Sequence, residues 1–382
     1  MTITAPSPEG TQVLFPEARQ RRRQRYWRAG IAVVLVVGLG VGLTLALAPT
    51  TPAHRTRVKE VAPRRRAGAP APVGITPRQP GPLALSANGG LFVADDARDQ
   101  ILARQPDGRF TVVAGTGKAG FSGDGGPATM ARLDGPQGMA VAPNGTLYFA
   151  DAGNNRIRAI LPNGTITTVA GNGSAATGPA GTPVVTGSAD TTGLGETYAV
   201  ALGPDGTLYI AAGDAVLQLT AGGTLTDLFD PENDAGFAPA EPQNAQCEPA
   251  AVAVDGAGDL YIACSDPYVL VERAPDGELT PLGADRPHDT DAALIAGPGG
   301  SVLAVEGFGV TRYSAAGPQE ITNFLTTRLP GGQDFEPQGI AVGSDGTLYL
   351  SQDGSSGIGP PLIVSRSPDG RVTTLWPAAA PK

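Results

Sequence analysis

The 382 residues include 54 Gly and 36 Pro, with only 16% charged and 5% aromatic side chains; without a glycine tripeptide period this excludes collagen and suits an all-β protein rich in tight turns. The net charge of −9 hides a division: residues 1–79 hold 13 Lys/Arg against 3 acids, and the remainder holds 14 against 33. So acidic a region repels phosphate, which excludes nucleic acid as its partner.

Residues 1–28 form a basic tail. Ala29–Ala48 (AGIAVVLVVGLGVGLTLALA) has 20 residues and no charge, enough for a helix to cross a bilayer core of about 30 Å. A single N-terminal transmembrane helix is therefore predicted, with the lipid bilayer as its partner and anionic headgroups beside the flanking arginines. Six arginines precede it in residues 14–28 and three basic residues follow in 49–63. That bias places the N-terminus in the cytoplasm and everything beyond the helix outside it. Cleavage after Ala46-Leu47-Ala48 is the rival reading; the long apolar run, the long leader and Pro49 weigh against it. Residues 49–79, rich in Pro, Ala and Arg, read as a semi-extended linker. The preference for Arg over Lys, with abundant Ala, Gly and Pro, points to a GC-rich, actinobacterial-like genome.

From residue 80 the chain repeats itself. Six windows align without gaps: 80–95 (PGPLALSANGGLFVAD), 136–151 (PQGMAVAPNGTLYFAD), 197–212 (TYAVALGPDGTLYIAA), 249–264 (PAAVAVDGAGDLYIAC), 291–306 (DAALIAGPGGSVLAVE) and 337–352 (PQGIAVGSDGTLYLSQ). Each reads as a hairpin closed by a Gly-containing turn, such as Asn144-Gly145 or Asp345-Gly346. A second hairpin follows each, as in Arg156–Leu161, Pro162-Asn163-Gly164 and Thr165–Ala170. Four antiparallel strands, a to d, cannot bury both faces alone, and packing around an axis solves this. Residues 80–382 are thus predicted to be all-β, a six-bladed β-propeller of four-stranded antiparallel blades.

The segment 135–173 (GPQGMAVAPNGTLYFADAGNNRIRAILPNGTITTVAGNG) resembles an NHL repeat almost position for position, and 113–138 (VAGTGKAGFSGDGGPATMARLDGPQG) resembles the connector of bacterial NHL propellers. The resemblance covers residues 80–376. It implies a propeller that binds proteins, glycans or other ligands, with a minority of such domains being enzymes.

Minimal a–b and c–d turns place sequence variation on the opposite face, in the b–c and d–a connections, where function on a rigid scaffold is expected. That face is acidic, which favours a cation or a basic partner. Asp95, Asp124, Asp151, Asn154, Arg156, Glu306 and Asp353 are its candidate ligand-binding residues. Asp95, Asp151 and Glu306 end equivalent b strands; they read either as calcium ligands, as in calcium-dependent lactonase-like propellers, or as caps on backbone N–H groups. With only His54 and His288 in the chain, a multi-histidine zinc site is excluded, and no catalytic set emerges. Cys247 and Cys264, the only cysteines, flank one hairpin and are expected to form a disulfide in an exported domain; two buried thiols are the alternative. The reading is a membrane-anchored, extracytoplasmic sensor, scaffold or adhesion module, with a calcium-dependent lactonase or hydrolase as the alternative.

Overall fold

The computed structural model describes residues 75–176, 188–229, 249–265, 268–283, 293–297, 299–324, 329, 335–355, 357 and 359–377. The apolar segment 29–48 and the basic segments around it lie outside these residues; among the described residues no helix is long and apolar enough to cross a membrane.

Among the described residues, 24 strands form six four-stranded antiparallel sheets, each in sequence order. Blade one is β1 (Pro80–Leu85), β2 (Leu91–Asp95), β3 (Gln100–Arg104) and β4 (Phe110–Ala114). Blade two is β5 (Pro136–Val141), β6 (Leu147–Asp151), β7 (Arg156–Ile160) and β8 (Ile166–Ala170). Blade three is β9 (Thr197–Leu202), β10 (Leu208–Ala212), β11 (Ala215–Leu219) and β12 (Leu225–Phe229). Blade four is β13 (Pro249–Val254), β14 (Leu260–Ser265), β15 (Tyr268–Arg273) and β16 (Leu279–Gly283). Blade five is β17 (Leu294–Gly297), β18 (Ser301–Glu306), β19 (Gly309–Tyr313) and β20 (Gln319–Asn323). Blade six is β21 (Gly339–Val342), β22 (Leu348–Gln352), β23 (Leu362–Arg366) and β24 (Val372–Trp376).

The turns realise the Asx-Gly signal in one way. In the β5–β6 hairpin, Gly145 N–H donates to Ala142 O at 2.8 Å and Ala142 N–H to Thr146 O at 2.8 Å. The Asn144 side chain accepts Thr146 N–H at 3.0 Å, and Gly145 takes φ +88° while Asn144 stays at negative φ. This is the three-residue loop that ends in a left-handed glycine. Asp205, Asp345, Asn163 and Asp107 accept the same i+2 N–H in their turns, so Asn and Asp are interchangeable there.

Period-two alternation then builds the core. Leu147 and Phe149 of β6 pack toward blade one, while Tyr148 between them packs toward blade three. The aromatic row recurs: Phe92, Tyr209, Tyr261, Leu303 and Tyr349 each join the cluster shared with the following blade. One apolar cluster fills each of the six gaps between blades. The a strands form the inner ring, β1 lying against β5 on one side and β21 on the other. A Cβ on Gly138 would come within 2.5 Å of Ala199 Cα in the next blade, so the inner strands approach too closely there for a side chain. The ring closes without strand exchange: Ser351 Oγ donates to Gly81 O at 2.5 Å, and Gln79 Nε2 to Asp353 Oδ2 at 3.0 Å.

In blades one and two the segment before strand a is itself bound to a blade. Residues 75–79, read from the sequence as linker, are bound to blade one: Ile75 N–H donates to Phe110 O of β4 at 2.8 Å. The connector 115–135 covers the outer edge of blade two in the same manner, with Gly125 N–H to Ile166 O at 2.8 Å and Ile166 N–H to Gly126 O at 3.0 Å. Such pairing blunts an otherwise open strand edge.

Candidate functional site

The b-strand ends show what the fold asks of this position. Asp95, fully buried, accepts the N–H groups of Arg78 and Gln79, each at 3.0 Å. Asp151, also fully buried, accepts Asp134 N–H at 2.8 Å. Gln352 accepts Glu336 N–H at 2.7 Å and donates to Pro360 O at 2.9 Å. In all three blades this side chain caps the backbone that leads into strand a of its own blade, satisfying N–H groups that would otherwise be buried unpaired. Glu306, 9% exposed, instead accepts the Tyr313 hydroxyl within blade five. Among the described residues no three His, Cys, Asp or Glu side chains are grouped so as to hold a metal ion.

Four of the candidate residues, Asp124, Asp151, Asn154 and Arg156, are brought together on blade two around a residue the sequence reading passed over, Arg158. Arg158 is fully buried. Its guanidinium pairs with Asp124 at 2.5 Å and Asp151 at 3.3 Å, and donates to Ser122 O and Arg132 O, both at 3.0 Å. It therefore grips both arms of the connector from inside the blade. Asp124 further accepts Thr168 N–H at 3.1 Å and Thr168 Oγ1 at 2.6 Å. Asn154 donates to Gly120 O at 3.0 Å, and Arg156 to Asn154 O at 2.9 Å and Asn172 O at 2.6 Å. Phe121 lies over Arg156, with its ring centroid 3.8 Å from the guanidinium carbon, a cation–π contact. Phe121 nevertheless remains 42% exposed.

Register makes Arg158 legible in retrospect. It faces Phe149 across the β6–β7 ladder, and the residues so placed in the other blades are Leu102, Leu217, Val271, Thr311 and Val364. One cation in a row of otherwise uncharged residues is the signal an alignment of the c strands would have shown.

The electrostatics follow from burial. Asp151 is pushed up to about 6 by desolvation, against the pull of Asp134 N–H, Asn154 and Arg158. Asp99 and Asp134 are raised too, chiefly by burial, with Asp134 and Asp95 adding repulsion on Asp99 and Asp96 on Asp134. Asp99 takes a left-handed φ of 51° and accepts Gly135 N–H at 3.1 Å, fastening blade one to the strand that opens blade two.

The remaining candidates sit elsewhere. Asp95 and Asp353 flank the seam between blades one and six, joined through Gln79. Asp353 also accepts Ser355 N–H at 2.7 Å. Cys264, fully buried at the end of the β14 core, is disulfide-bonded; Cys247 and His288 lie outside the described residues.

Among the described residues the large exposed apolar side chains are Phe121, Met130 (69%) and Leu161 (37%). The first two belong to the connector and the third opens the β7–β8 turn on which it is paired. The class of protein that the fold defines is a six-bladed β-propeller of four-stranded antiparallel blades.

Its particular likeness is to the teneurin NHL domain, whose family profile matches residues 75–161, which hold blade one, the connector and the first three strands of blade two. Teneurin-1 of Mus musculus is 38% identical over 94 residues, covering 21% of this chain and 3% of the relative, so the chain spans only a small part of the curated relatives it matches. Among solved structures, a gluconolactonase from Xanthomonas campestris superposes with a TM-score of 0.53 at 14% identity, over 77% of this chain and 88% of that one. A streptogramin B lyase gives 0.51 at 15% identity, over 79% and 84%. At such identities these two structures share the fold alone.

Proposed function

We propose that the propeller is a protein-binding module, a sensor, scaffold or adhesion domain, whose binding surface is the connector 115–135 with the outer flank of blade two. The observation that carries this reading is the placement of the large exposed apolar side chains found among the described residues. Phe121, Met130 and Leu161 all lie on that one connector and the turn beside it, on a loop whose shape is fixed from within by Arg158. Exposed apolar groups presented on a rigid frame suit a protein partner. The likeness to teneurin NHL sequence over 75–161 falls on the same region.

In this reading residues 29–48 anchor the chain in the bilayer with the N-terminus cytoplasmic, and the propeller faces outward, where glycans and other extracytoplasmic ligands also reach it. The basic flank of the apolar segment supports that orientation. A calcium-dependent hydrolase is the weaker reading, because Asp95 and Asp151, two of the three acids it would use, are already occupied by backbone N–H groups and Arg158.

In-cell crosslinking of the full chain tests the binding reading. A discrete partner is expected with the wild type and lost with the pair Phe121→Ser and Met130→Ser. The same partner retained at equal yield would remove the connector as the binding surface. Protease treatment of intact cells tests the orientation: the propeller should be degraded and the tail spared.

A further inference from the structure

One buried cation shared by two carboxylates is an unusual fastening. Arg158 carries a single positive charge, and Asp124 and Asp151 both lie against it. Asp151 belongs to the blade and Asp124 to the connector, so the arrangement spans the joint between them. We propose that Asp151, Arg158 and Asp124 form a proton-operated latch that fixes connector 115–135 on blade two and loosens it as Asp151 ionises.

The physics is a competition for one guanidinium. With Asp151 ionised, Arg158 is neutralised inside the blade before the connector arrives, and docking the partly exposed Asp124 adds a second negative charge beside that buried pair. With Asp151 protonated, Arg158 has no anionic partner until Asp124 docks, so closure is favoured. The charged and polar groups facing Asp151 from each neighbouring element are few. From β7 come Arg158 and its ladder partner Arg156. The connector presents Asp124, which reaches it through Arg158, and Asp134, which donates its backbone N–H. The turn after β6 presents the Asn154 amide. Arg156 is engaged by the Asn154 and Asn172 carbonyls and Phe121, which leaves Arg158 as the cation paired with Asp151. Burial of Asp151 pushes its titration toward neutral pH, which puts the switch in a range that cells experience.

The latch belongs to the fold and its test needs no partner, so its failure leaves the binding reading standing. The measurement is hydrogen exchange of the full chain at pH 5 and pH 8, corrected for intrinsic exchange and read on peptides covering residues 120–132. Opening of the connector should be on the order of tenfold more frequent at pH 8, with β5 to β8 unchanged. Asp151→Asn keeps an acceptor for Asp134 N–H but cannot ionise; it should hold the connector closed at both pH values. Asp124→Asn, on the partly exposed arm, should leave it open at both, and supplies the test if the buried variant does not fold. Equal protection of the wild-type connector at the two pH values, or a pH step that survives in either variant, would overturn the latch.

Discussion

Blades two and six answer the same structural demand with different chemistry. In blade six the b strand ends in Gln352, whose neutral amide caps Glu336 N–H, and Val364 occupies the c-strand position in the apolar layer. In blade two the same places hold Asp151 and Arg158. Blade one stands between them, with Asp95 capping two N–H groups and Leu102 in the layer. Capping therefore requires an acceptor but no charge, and the layer is filled in the other blades by uncharged side chains. In blade two the charged pair also holds the connector, because Arg158 reaches Ser122, Asp124 and Arg132 of it. Buried ion pairs are weak sources of stability, and their best-attested use is to specify one arrangement; here that arrangement is the shape of residues 115–135.

The largest effect that tests this contrast is removal of the cation. Arg158→Ala leaves two carboxylates facing a cavity and should cost about 3–5 kcal/mol in denaturant unfolding. Arg158→Val combined with Asp151→Gln installs the blade-six solution and should recover much of that loss. A double variant no more stable than Arg158→Ala would show that the blades are not equivalent.

The next effect is on pH. Folding raises the Asp151 carboxyl from 3.8 to about 6, so the native state holds a proton that the unfolded chain releases. Its contribution is complete below pH 3.8 and fades as pH rises through about 6, to an upper bound of about 3 kcal/mol. Asp107, Asp205, Asp345 and Asp369 are lowered and act in the opposite sense. The difference between wild type and Asp151→Asn across pH 4 to 8 isolates the one group; a difference that does not vary with pH would refute the assignment.

Smaller effects sharpen the comparison between seam and rim. Gly138→Ala forces a methyl against Ala199 at the inner ring and should cost about 1–3 kcal/mol by thermal unfolding. Asn144→Ala removes one cap on Thr146 N–H in an exposed turn and should cost about 0.5–1 kcal/mol. A reversal of that order would place the weak point at the rim.

The blades were legible because each uses local signals: alternation over four to six residues, a Gly-containing turn, and the row Phe92, Tyr148, Tyr209, Tyr261, Leu303, Tyr349 that faces the following blade. The candidate site was legible only in part. Asp124, Asp151, Asn154 and Arg156 stood out as polar residues at strand ends and in loops, and the fold gathers them on blade two. Arg158 did not stand out, because in a strand written RIRAI an arginine reads as a solvent-facing residue. It is buried by a connector 26 to 36 residues away in sequence, and no local pattern carries that information. The pairing of Ile75 with β4 was not legible either: its side chain packs against the core between blades six and one, but one apolar residue beside Gly and Pro shows no period.

The most direct measurement is a double-mutant cycle between Asp124→Asn and Arg158→Leu, read by denaturant unfolding together with exchange of residues 120–132. If the connector is held through this pair, the two losses should be non-additive by more than about 1 kcal/mol, and either variant alone should free the connector. Losses that add within about 0.5 kcal/mol, with the connector still protected in both, would mean that something other than Arg158 holds it to blade two.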